Sequence, residues 1–429
     1  MLILYNVLQV LALILVGPLL FVKVIFTAKY RQRFPQRLGI GLERKLKSCS
    51  EVAPRIWIHA LSVGEVASSH VLVKAFRAAF PDITLIFSTT TETGAAFAKS
   101  TLGNQVDCFI PFPLDVLPCV RKFLDQVDPD LFVLVETDFW PNFLHELQER
   151  KVPAVLVNGR ISRRSFARYR RWYLFFRPMF DSFAAICMQT VEDVERMVEL
   201  GVSSKAVKAL GNLKYEAAGL EPVGGTIKRE DFGIPDKRMV WAAGSTHTGE
   251  GEMALRIHKR LLADFPDLLL LLAPRQVARG EALAGFAEAD GLAVARRSQG
   301  GGALSASVLL LDTIGELSGS YRLCEVAFVG GSLVAEGGHN PLEPAAFGRP
   351  VLFGPHMEDF LEVSQDLIMA GGAIQVADEE QLYQRLKGLL VDADLRHKMG
   401  EKSVSLLAKQ QGATDRHVEL IRTIMFTAH

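Results

Sequence analysis

The sequence predicts an α/β fold of two Rossmann-like domains, each with a parallel sheet covered by helices. Short apolar runs, many of them rich in β-branched or aromatic residues, alternate with segments of helical spacing. Near-continuous apolar runs are typical of parallel strands that are buried on both faces. The alternation pauses at residues 216–230 (EAAGLEPVGGTIKRE), which are rich in glycine and polar residues. Strand–helix alternation on both sides of this segment indicates two doubly wound sheets joined by a linker.

The chain begins with a segment that we interpret as a membrane anchor. Residues 1–22 carry no formally charged side chain, and about 20 apolar residues suffice to cross a bilayer core. Residues 23–50 form a basic juxtamembrane segment, which by the positive-inside rule places the rest of the chain in the cytoplasm. Asn6 and Gln9 weaken the apolar signal. The alternatives are a cleaved signal peptide, although no basic n-region is present, and a buried or interfacial amphipathic helix.

The first Rossmann-like domain is predicted to span residues 51–215. Apolar runs predict its strands at 55–60, 83–88, 130–136, 154–158 and 184–189. Helical spacing predicts helices at 65–79, 115–127 and 141–150.

The second Rossmann-like domain is predicted to span residues 231–429. Apolar runs predict its strands at 239–243, 268–273, 307–311, 326–329 and 350–353. Ligands of such sheets bind beyond the carboxyl ends of the strands. We therefore expect the binding site in a cleft between two facing domains.

The composition excludes several classes of protein. The 429 residues include 48 Lys and Arg against 48 Asp and Glu, so the formal net charge is zero. This balance argues against a protein that holds nucleic acid mainly through a net positive field. Hydrophobic residues make up 49% and charged residues 22%, which is a globular rather than a disordered composition. The five cysteines form no C-x-x-C pair, so we predict reduced thiols in a cytosolic compartment.

Two acidic residues follow predicted strands of the first domain. Glu65 ends HALSVGE (59–65), in the first turn of the next predicted helix. There it is either an acid favoured by the helix dipole or a general base at the mouth of the cleft. Glu136 begins ETDFWPN (136–142), and a carboxylate beside a tryptophan at a strand end favours a site for a sugar or another polar ligand.

Three further segments of the first domain are candidates for binding an anion. STTTETG (88–94) places hydroxyl groups before a helix, which suits an anion or a sugar but also plain helix capping. The arginine-rich stretch 158–171 is either a solvated helix face or a surface for a phosphorylated substrate at the membrane. Lys214, in GNLKYE (211–216), precedes the linker, where its position permits contact with a phosphate.

In the second domain, two predicted strands end in segments suited to phosphate. Ser245 lies in GSTHTGE (244–250) just before a helix, where backbone N–H groups suit a phosphate. Pro274 and Arg275 lie in LAPRQ (272–276), and the guanidinium group is suited to a phosphate or a carboxylate. Ile314, Gly315 and Glu316 follow the next predicted strand, in TIGEL (313–317).

The stretch FVGGSLVAEGGHNPLEPAAFG (328–348) is the most distinctive of the chain. Its paired glycines permit close approach of the backbone to a ligand. Asn340 is expected to cap a helix that has Pro341 at its first position, followed by Leu342 and Glu343. A carboxylate in that first turn can accept hydrogen bonds from two ribose hydroxyls.

No metal or cofactor is expected. His339 and His356 lack a carboxylate or cysteine partner at the spacing of a ligand set. The sequence has no GxxxxGK[ST] loop, which argues against a P-loop NTPase.

Together these segments resemble the Kdo transferases, the 3-deoxy-D-manno-octulosonic acid transferases of lipopolysaccharide synthesis. The resemblance covers almost the whole chain in the order of the family's motifs. The motifs are IWIHALSVGE (56–65), TTTETG (89–94), ETDFWPN (136–142), NGRISRRS (158–165), GNLKYE (211–216), GSTHTGE (244–250), APR (273–275), GGSLVAEGGHNPLEPAA (330–346) and GPH (354–356).

The resemblance implies a B-type glycosyltransferase fold, with the acceptor on the first domain and CMP-Kdo on the second. It implies transfer of Kdo from CMP-Kdo to a lipid A precursor, without a metal, at the cytoplasmic face of the bacterial inner membrane. Glu65 would then be the proton acceptor, while Glu136 and Lys214 would support the transition state. The CMP-binding segments would include Pro274, Arg275, Ile314 to Glu316 and Asn340 to Glu343.

The chain departs from the family's usual pattern at Gln276, Asp359 and Gly251. The sequence leaves two rival functions open. One is a UDP-sugar transferase or epimerase of the same fold. The other is an inactive, membrane-tethered binder of a nucleotide sugar.

Overall fold

The computed structural model describes residues 2–26, 28–47, 49, 54–136, 139–218, 227–300 and 302–426, without the side chains of 18–30 and 32. The chain divides into two units. The first comprises Met1–Ala217 together with Gln411–His429, and the second comprises Ala218–Gln410. The first unit is therefore discontinuous in the sequence.

The described part of the first unit contains one sheet of seven parallel strands. They are β1 Arg55–Ala60, β2 Thr84–Thr89, β3 Cys108–Pro111, β4 Leu131–Val135, β5 Ala154–Gly159, β6 Phe183–Met188 and β7 Val207–Ala209. Their order across the sheet is β3-β2-β1-β4-β5-β6-β7. The central strands are buried along nearly their whole length, as expected for a parallel sheet with both faces covered.

Helices cover this sheet and precede it. They are α1 Leu2–Phe26, α2 Ala28–Arg37, α3 Leu42–Leu46, α4 Val63–Ala79, α5 Glu92–Leu102, α6 Leu117–Val127, α7 Pro141–Glu149, α8 Arg163–Arg171, α9 Tyr173–Asp181, α10 Val191–Glu199 and α11 Leu213–Ala218. Several begin where a hydroxyl group accepts a backbone N–H, as Ser62 does for α4 and Thr91 for α5. The buried Trp57 lies in the core among aromatic rings and donates a 2.7 Å hydrogen bond to Ser88 Oγ.

The second unit repeats the architecture in its described residues. Its strands are β8 Val240–Thr246, β9 Leu269–Pro274, β10 Val294–Arg296, β11 Val308–Leu310, β12 Val326–Val329, β13 Val351–Phe353 and β14 Ala373–Gln375. They pair in parallel in the order β10-β11-β9-β8-β12-β13-β14. The helices are α12 Glu250–Leu261, α13 Gly280–Ala289, α14 Leu317–Ser320, α15 Leu342–Ala346, α16 Leu361–Ala370, α17 Glu379–Val391 and α18 Ala393–Gln410.

The predicted second domain, 231–429, ends earlier than expected because the last helix, α19 Ala413–Phe426, belongs to the first unit. The backbone N–H of Thr414 donates to Glu216 Oε2 at 2.9 Å, and Arg416 Nε donates to the carbonyl oxygen of Leu210 at 3.0 Å. Residues 219–226, the middle of the predicted linker, lie outside the described residues.

No helix among the described residues is long and apolar enough to cross a membrane, so the membrane-spanning helix predicted at 1–22 lacks support. The polar side chains of α1 bond to the first unit instead. Tyr5 donates to Asp115 Oδ2 at 3.0 Å, and Gln9 Nε2 donates to the Asp115 carbonyl oxygen at 2.9 Å. The amide groups of Asn6 and Asn142 hydrogen-bond each other reciprocally at 2.9 Å.

The prediction of reduced cysteines is wrong for one pair, since Cys49 and Cys108 form a disulfide bond. Sequence spacing gave no sign of it, because 59 positions separate the two residues and packing of α3 near β3 brings their Cα atoms to 5.4 Å. Cys119, Cys187 and Cys324 are free thiols. Burial raises the pKa of both Cys187 and Cys324 to about 12, so these two remain protonated.

Candidate active site

Glu65 lies in the first turn of α4, directly after the carboxyl end of β1. Ser62 Oγ accepts the backbone N–H of Glu65 at 3.4 Å, and the Glu65 carboxylate accepts the backbone N–H of Leu61. The predicted capping role is therefore observed. A carboxylate has about four acceptor positions, so this hydrogen bond alone does not decide whether the group also takes a proton.

Glu136 follows the end of β4, the strand next to β1 in the sheet. Its φ of 62° lies in the left-handed region, which for a residue other than glycine costs of the order of 1–3 kcal/mol and occurs most often at functional sites. Lys214 Nζ lies 3.0 Å from Glu136 Oε1, and each side chain is 23% exposed. The structure thus brings together two of the three predicted catalytic residues of this unit. Residues 137 and 138 of the same motif lie outside the described residues.

A buried asparagine that the sequence analysis did not single out supports this ion pair. Asn158, near the end of β5, has a φ of 55°. Its Nδ2 lies 3.5 Å from Glu136 Oε1, and its Oδ1 accepts the backbone N–H of Leu213 at 3.0 Å. One side chain therefore contacts the carboxylate and also fixes the backbone next to Lys214.

Two further buried amides continue this network. Gln189 Nε2 donates to the Asn158 carbonyl oxygen at 3.1 Å, and Asn212 Nδ2 donates to Gln189 Oε1 at 3.0 Å. Asn212 Oδ1 in turn accepts the backbone N–H of Lys214 at 2.9 Å. The lysine is thus attached to a backbone that interior hydrogen bonds hold, which reduces the freedom of its ammonium group.

His417 of α19 completes the network from the distant end of the sequence. Its Nδ1 lies 2.7 Å from the Ala413 carbonyl oxygen, and its Nε2 lies 3.5 Å from the backbone nitrogen of Asn158. Burial lowers the pKa of His417 to about 4, so the ring is neutral. In the matching tautomer Nδ1 donates and Nε2 accepts. The only sequence sign of this contact is a histidine on the apolar face of a helix.

In the second unit, all four predicted binding segments follow adjacent strands. These strands are β11, β9, β8 and β12, in their order across the sheet. Ser245 belongs to the end of β8, Pro274 to the end of β9, and residues 314–316 follow β11. Because the strands are parallel, the segments meet at the same edge of the sheet.

Glu250 links two of these segments, 244–250 and 328–348, through hydrogen bonds. The sequence did not single it out as a site residue. Its buried carboxylate accepts the backbone N–H of His247 at 2.9 Å and those of residues 331–333 at 2.6, 3.0 and 2.9 Å. Gly330 packs so closely that a Cβ there would lie 2.6 Å from the carbonyl oxygen of Ser245. In the sequence, the signs of this contact were Glu250 at the end of GSTHTGE (244–250) and, much later in the chain, the glycine pair 330–331.

Arg275, Asn340 and Glu343 lie close enough to influence one another. Burial raises the pKa of Glu343 to about 7, while the Arg275 charge and a hydrogen bond from Asn340 act in the opposite direction. Asn340 Oδ1 accepts the backbone N–H of Leu342 at 3.1 Å, so the predicted cap is observed. The helix itself begins at Leu342, with Pro341 in the N-cap position rather than the first helical position.

Two histidines stack beside these residues. His247 Nε2 and His339 Nε2 lie 2.9 Å apart, so one nitrogen donates and the other accepts. Burial lowers the pKa of His339 to about 4, and the charge of Arg275 adds to this effect. Within the described residues, no group of three or more His, Cys, Asp or Glu side chains is arranged to hold a metal. The metal-free interpretation stays a prediction.

The loop of residues 314–316 has partners of its own. Arg297 Nη2 lies 2.9 Å from Glu316 Oε1, and the Thr313 hydroxyl donates to the same carboxylate. Burial raises the pKa of Glu316, but these hydrogen bonds outweigh it and the net shift is downward. Ile314 is 90% exposed, which is unusual for so large an apolar side chain and leaves it available to a flat ligand surface.

One of the three departures from the family pattern, Gly251, has a structural account. A Cβ at Gly251 would lie 2.8 Å from Leu283 Cδ2, so a glycine fits this close packing. The backbone N–H of Asp359 donates to the Gly337 carbonyl oxygen at 3.0 Å, a contact that does not depend on the side chain. Gln276 is exposed, and nothing in the structure explains it.

Solved structures with this architecture include an epimerase and a glycosyltransferase. A UDP-GlcNAc 2-epimerase from Neisseria meningitidis, bound to UDP-GlcNAc, has a TM-score of 0.59 at 12% identity, over 86% of this chain and 100% of its own. A glycosyltransferase from Rickettsia africae has a TM-score of 0.54 at 12% identity, over 89% and 100%. At such identities the similarity shows the fold alone. It defines a protein of two parallel-sheet α/β domains that resembles the B-type glycosyltransferases in fold.

Sequence relatives identify the family within that class. The family model of 3-deoxy-D-manno-octulosonic-acid transferases (Kdo transferases) matches residues 32–217. A 3-deoxy-D-manno-octulosonic acid transferase from Haemophilus influenzae is 34% identical over 397 residues, 92% of either chain. Another from Bordetella pertussis is 31% identical over 86% of this chain and 87% of its own. The chain belongs to the Kdo transferase family and is a glycosyltransferase, which confirms the resemblance seen in its motifs.

Proposed function

We propose that the protein transfers Kdo from CMP-Kdo to a lipid A precursor in lipopolysaccharide core synthesis, with inversion at the anomeric carbon. Membership of the Kdo transferase family supports the transferred sugar. One structural observation carries the assignment of roles: Glu65 and Glu136 follow the adjacent strands β1 and β4, and the candidate segments of the second unit follow four adjacent strands. Lys214 comes after the edge strand β7 and joins this group through its ion pair with Glu136. Ligands of doubly wound sheets bind at the carboxyl ends of the strands.

We assign the donor to the second unit. The charge of Arg275 suits the single phosphate of CMP, and the positive end of the α12 helix dipole after β8 suits it as well. Glu343, held with a pKa of about 7, is suited to accept hydrogen bonds from the ribose hydroxyls. The exposed Ile314 offers an apolar contact for the base. No metal is needed to neutralise one phosphate, because these cationic and dipolar groups suffice.

We assign the general base to Glu65. An acceptor hydroxyl is a poor nucleophile and must lose its proton as its oxygen bonds to the anomeric carbon of Kdo. The proton passes to the Glu65 carboxylate. The bond from the anomeric carbon to the phosphate oxygen breaks, and CMP leaves with the electron pair. Attack opposite the phosphate inverts the configuration.

We assign to Lys214 the stabilisation of negative charge that develops in the transition state. Glu136 and the amides around Asn158 hold the lysine in one position, so little reorganisation is needed when the charge appears. The ammonium group of Lys214 is thereby held beside Glu136, where its side chain is only partly exposed to solvent.

We propose that the protein works at the cytoplasmic face of the bacterial inner membrane, where a lipid acceptor is found. The polar residues of α1 bond to the first unit, while Leu4, Leu8, Leu11 and Leu15 on the same helix are 49–75% exposed. An exposed apolar helix face of this size is suited to the membrane interface. The arginine-rich α8 offers positive charge for phosphate-bearing lipids.

Vesicle flotation tests this location. The full chain should float with vesicles that contain anionic lipid, and the triple variant L4Q/L8Q/L11Q should not, although it keeps Tyr5, Asn6 and Gln9. If the unaltered chain stays at the bottom of the gradient, the proposed location is wrong.

A transfer assay tests the function. The full chain, CMP-Kdo and a lipid A precursor should yield CMP and a Kdo-bearing lipid in equal amounts, with inverted anomeric configuration by NMR. Turnover should persist in excess EDTA. Binding of CMP-Kdo without turnover would identify an inactive binder, and conversion of UDP-GlcNAc instead would identify an epimerase. Either result would contradict the proposal.

A further inference from the structure

A cavity of about 160 Å³ lies beside the carboxyl ends of β2 and β3 in the first unit. Its wall comes from α2, α3 and α5, and three cationic residues line it: Arg33, Lys45 and Lys99. Glu92 is the one carboxylate among its described lining residues. The lining therefore carries three positive charges against one negative charge.

Two of the cations donate hydrogen bonds to neutral oxygens. Arg33 Nη2 donates to the carbonyl oxygen of Thr89 at 3.0 Å and lies 3.3 Å from Thr89 Oγ1. Arg33 Nε is buried and has no hydrogen-bond partner. Lys45 Nζ donates to Gln36 Oε1 at 2.9 Å. The hydrogen bonds of Arg33 Nη2 go to neutral acceptors, so an anion in the cavity would add a charge-assisted contact for this guanidinium group.

The cations of the cavity act on one another. Burial lowers the pKa of Lys45, and the charges of Lys99 and Arg33 lower it further. Burial also lowers the pKa of Arg33, which the charge of Glu92 only partly offsets. Like charges held near one another are destabilising, so a bound anion would relieve repulsion as well as fill hydrogen-bond positions.

One wall of the cavity is joined to the turn that carries the proposed base. Helix α5, which supplies Glu92 and Lys99, is capped by Thr91, and Thr91 Oγ1 donates to the carbonyl oxygen of Leu61 at 3.3 Å. The N–H of the same Leu61 donates to the Glu65 carboxylate. A ligand bound in the cavity therefore lies against an element that contacts the Glu65 turn.

We propose that this cavity binds a phosphate monoester, and that the phosphate belongs to the sugar acceptor, an assignment that rests on the proposed function. A phosphate monoester is mostly a dianion at neutral pH, which matches the excess of two positive charges. Guanidinium and ammonium donors form charge-assisted hydrogen bonds with it. Holding the phosphate there would fix the rest of the acceptor relative to α5 and the turn of Glu65.

The first test measures binding of inorganic phosphate to the full chain by calorimetry and needs no turnover. Lys45→Gln and Lys99→Gln each remove one cation and should each weaken phosphate binding about tenfold, the loss expected for one charge-assisted hydrogen bond. Lys208→Gln is the matched control, because Lys208 is exposed on β7 at the opposite edge of the same sheet. Absence of phosphate binding to the unaltered chain, or equal weakening by the control, overturns the site.

The second test identifies the source of the phosphate. Acceptor kinetics are compared for a phosphorylated acceptor and its dephosphorylated form. The two cavity variants should raise KM about tenfold for the phosphorylated acceptor and leave KM for the other form unchanged. If the variants bind inorganic phosphate more weakly but change KM equally for both acceptors, the site binds free phosphate and the acceptor assignment is wrong. Because the first test does not use Kdo transfer, failure of the proposed function would appear separately.

Discussion

The two units hold their candidate carboxylates in different ways. In the first, Glu136 pairs with Lys214 at a partly exposed position, and buried amides hold the lysine backbone. In the second, Glu250 is enclosed by four backbone N–H groups, and burial raises the pKa of Glu343 to about 7. All three acids lie just beyond strand ends or in the helices that follow them. The position of an acid in the sheet therefore does not decide whether it has a catalytic or a structural role. The groups that the carboxylate contacts decide this.

The largest effect is expected for Glu65→Gln, which separates chemistry from capping in the first unit. The amide keeps the size of the side chain but cannot take a proton, so kcat should fall about 10²–10⁴-fold. The capping role predicts instead a stability loss of about 1 kcal/mol or less with near-normal turnover. Melting temperature and kcat, measured on one sample, distinguish the two. A kcat within a few-fold of the unaltered enzyme would reject the base role.

The next largest effect is expected for Glu250→Ala in the second unit. Four backbone N–H groups lose their acceptor, and unsatisfied buried donors cost roughly 1–3 kcal/mol each. Because water can reach part of the space, we expect a total loss of about 3 kcal/mol, seen as a lower urea midpoint. The exposed Glu281 on α13 provides the control, and Glu281→Ala should change stability by less than about 0.5 kcal/mol. A normal midpoint for Glu250→Ala would show that these loops do not depend on the carboxylate.

A smaller, kinetic difference is expected between two cations. Lys214→Ala should lower kcat by about tenfold or more, because the proposed contact strengthens in the transition state. Arg275→Ala should weaken CMP binding by about tenfold while changing kcat less, because its contact exists before reaction. Steady-state kinetics and CMP titration of both variants check this. Unchanged kinetics and CMP affinity in both would remove the roles assigned to them.

The smallest effect concerns the pH dependence that Glu343 contributes to stability. Below its ordinary pKa of 4.5 the carboxyl is protonated in both folded and unfolded chains. Between 4.5 and about 7 the unfolded chain ionises first, so the folded state loses stability as pH rises. Glu343→Gln should therefore stabilise the protein by about 1–2.5 kcal/mol more at pH 8 than at pH 5, the upper figure corresponding to a folded pKa of about 7. Urea midpoints at the two pH values measure this, and an equal difference at both would contradict the raised pKa.

The sequence predicted the interior of both sheets but not their edges. All ten predicted strands are present within a few residues of their expected bounds, because strands buried on both faces have continuous apolar runs. The strands that it missed are β3, β7, β10 and β14, which form the two edges of each sheet. In β7, β10 and β14 a polar residue and partly exposed positions interrupt the apolar run that the pattern needs. β3 is mostly buried and apolar, but it has only four residues.

The sequence predicted the parts of the candidate site that lie at strand ends. It did not predict the parts that depend on contacts between residues far apart in the sequence. The parallel-strand rule located Glu136 and the segments around Arg275 and Asn340. It could not show that Asn158 contacts His417, because 259 positions separate them and helical periodicity does not say which sheet a helix covers. The pairing of Glu250 with residues 331–333 was equally hidden, since an acid in a first turn usually indicates no more than a favourable dipole interaction.

The return of α19 to the first unit has a consequence for synthesis on the ribosome. All of residues 218–410 must be translated between α11 and α19, which takes about 10–40 s at roughly 5–20 residues per second. Throughout that interval the nascent first unit lacks the helix that supplies His417 and buries Val418 and Ile421. The second unit, continuous in the sequence, has every one of its strands before the first unit has its last helix. The segment made last therefore completes the unit that was begun first.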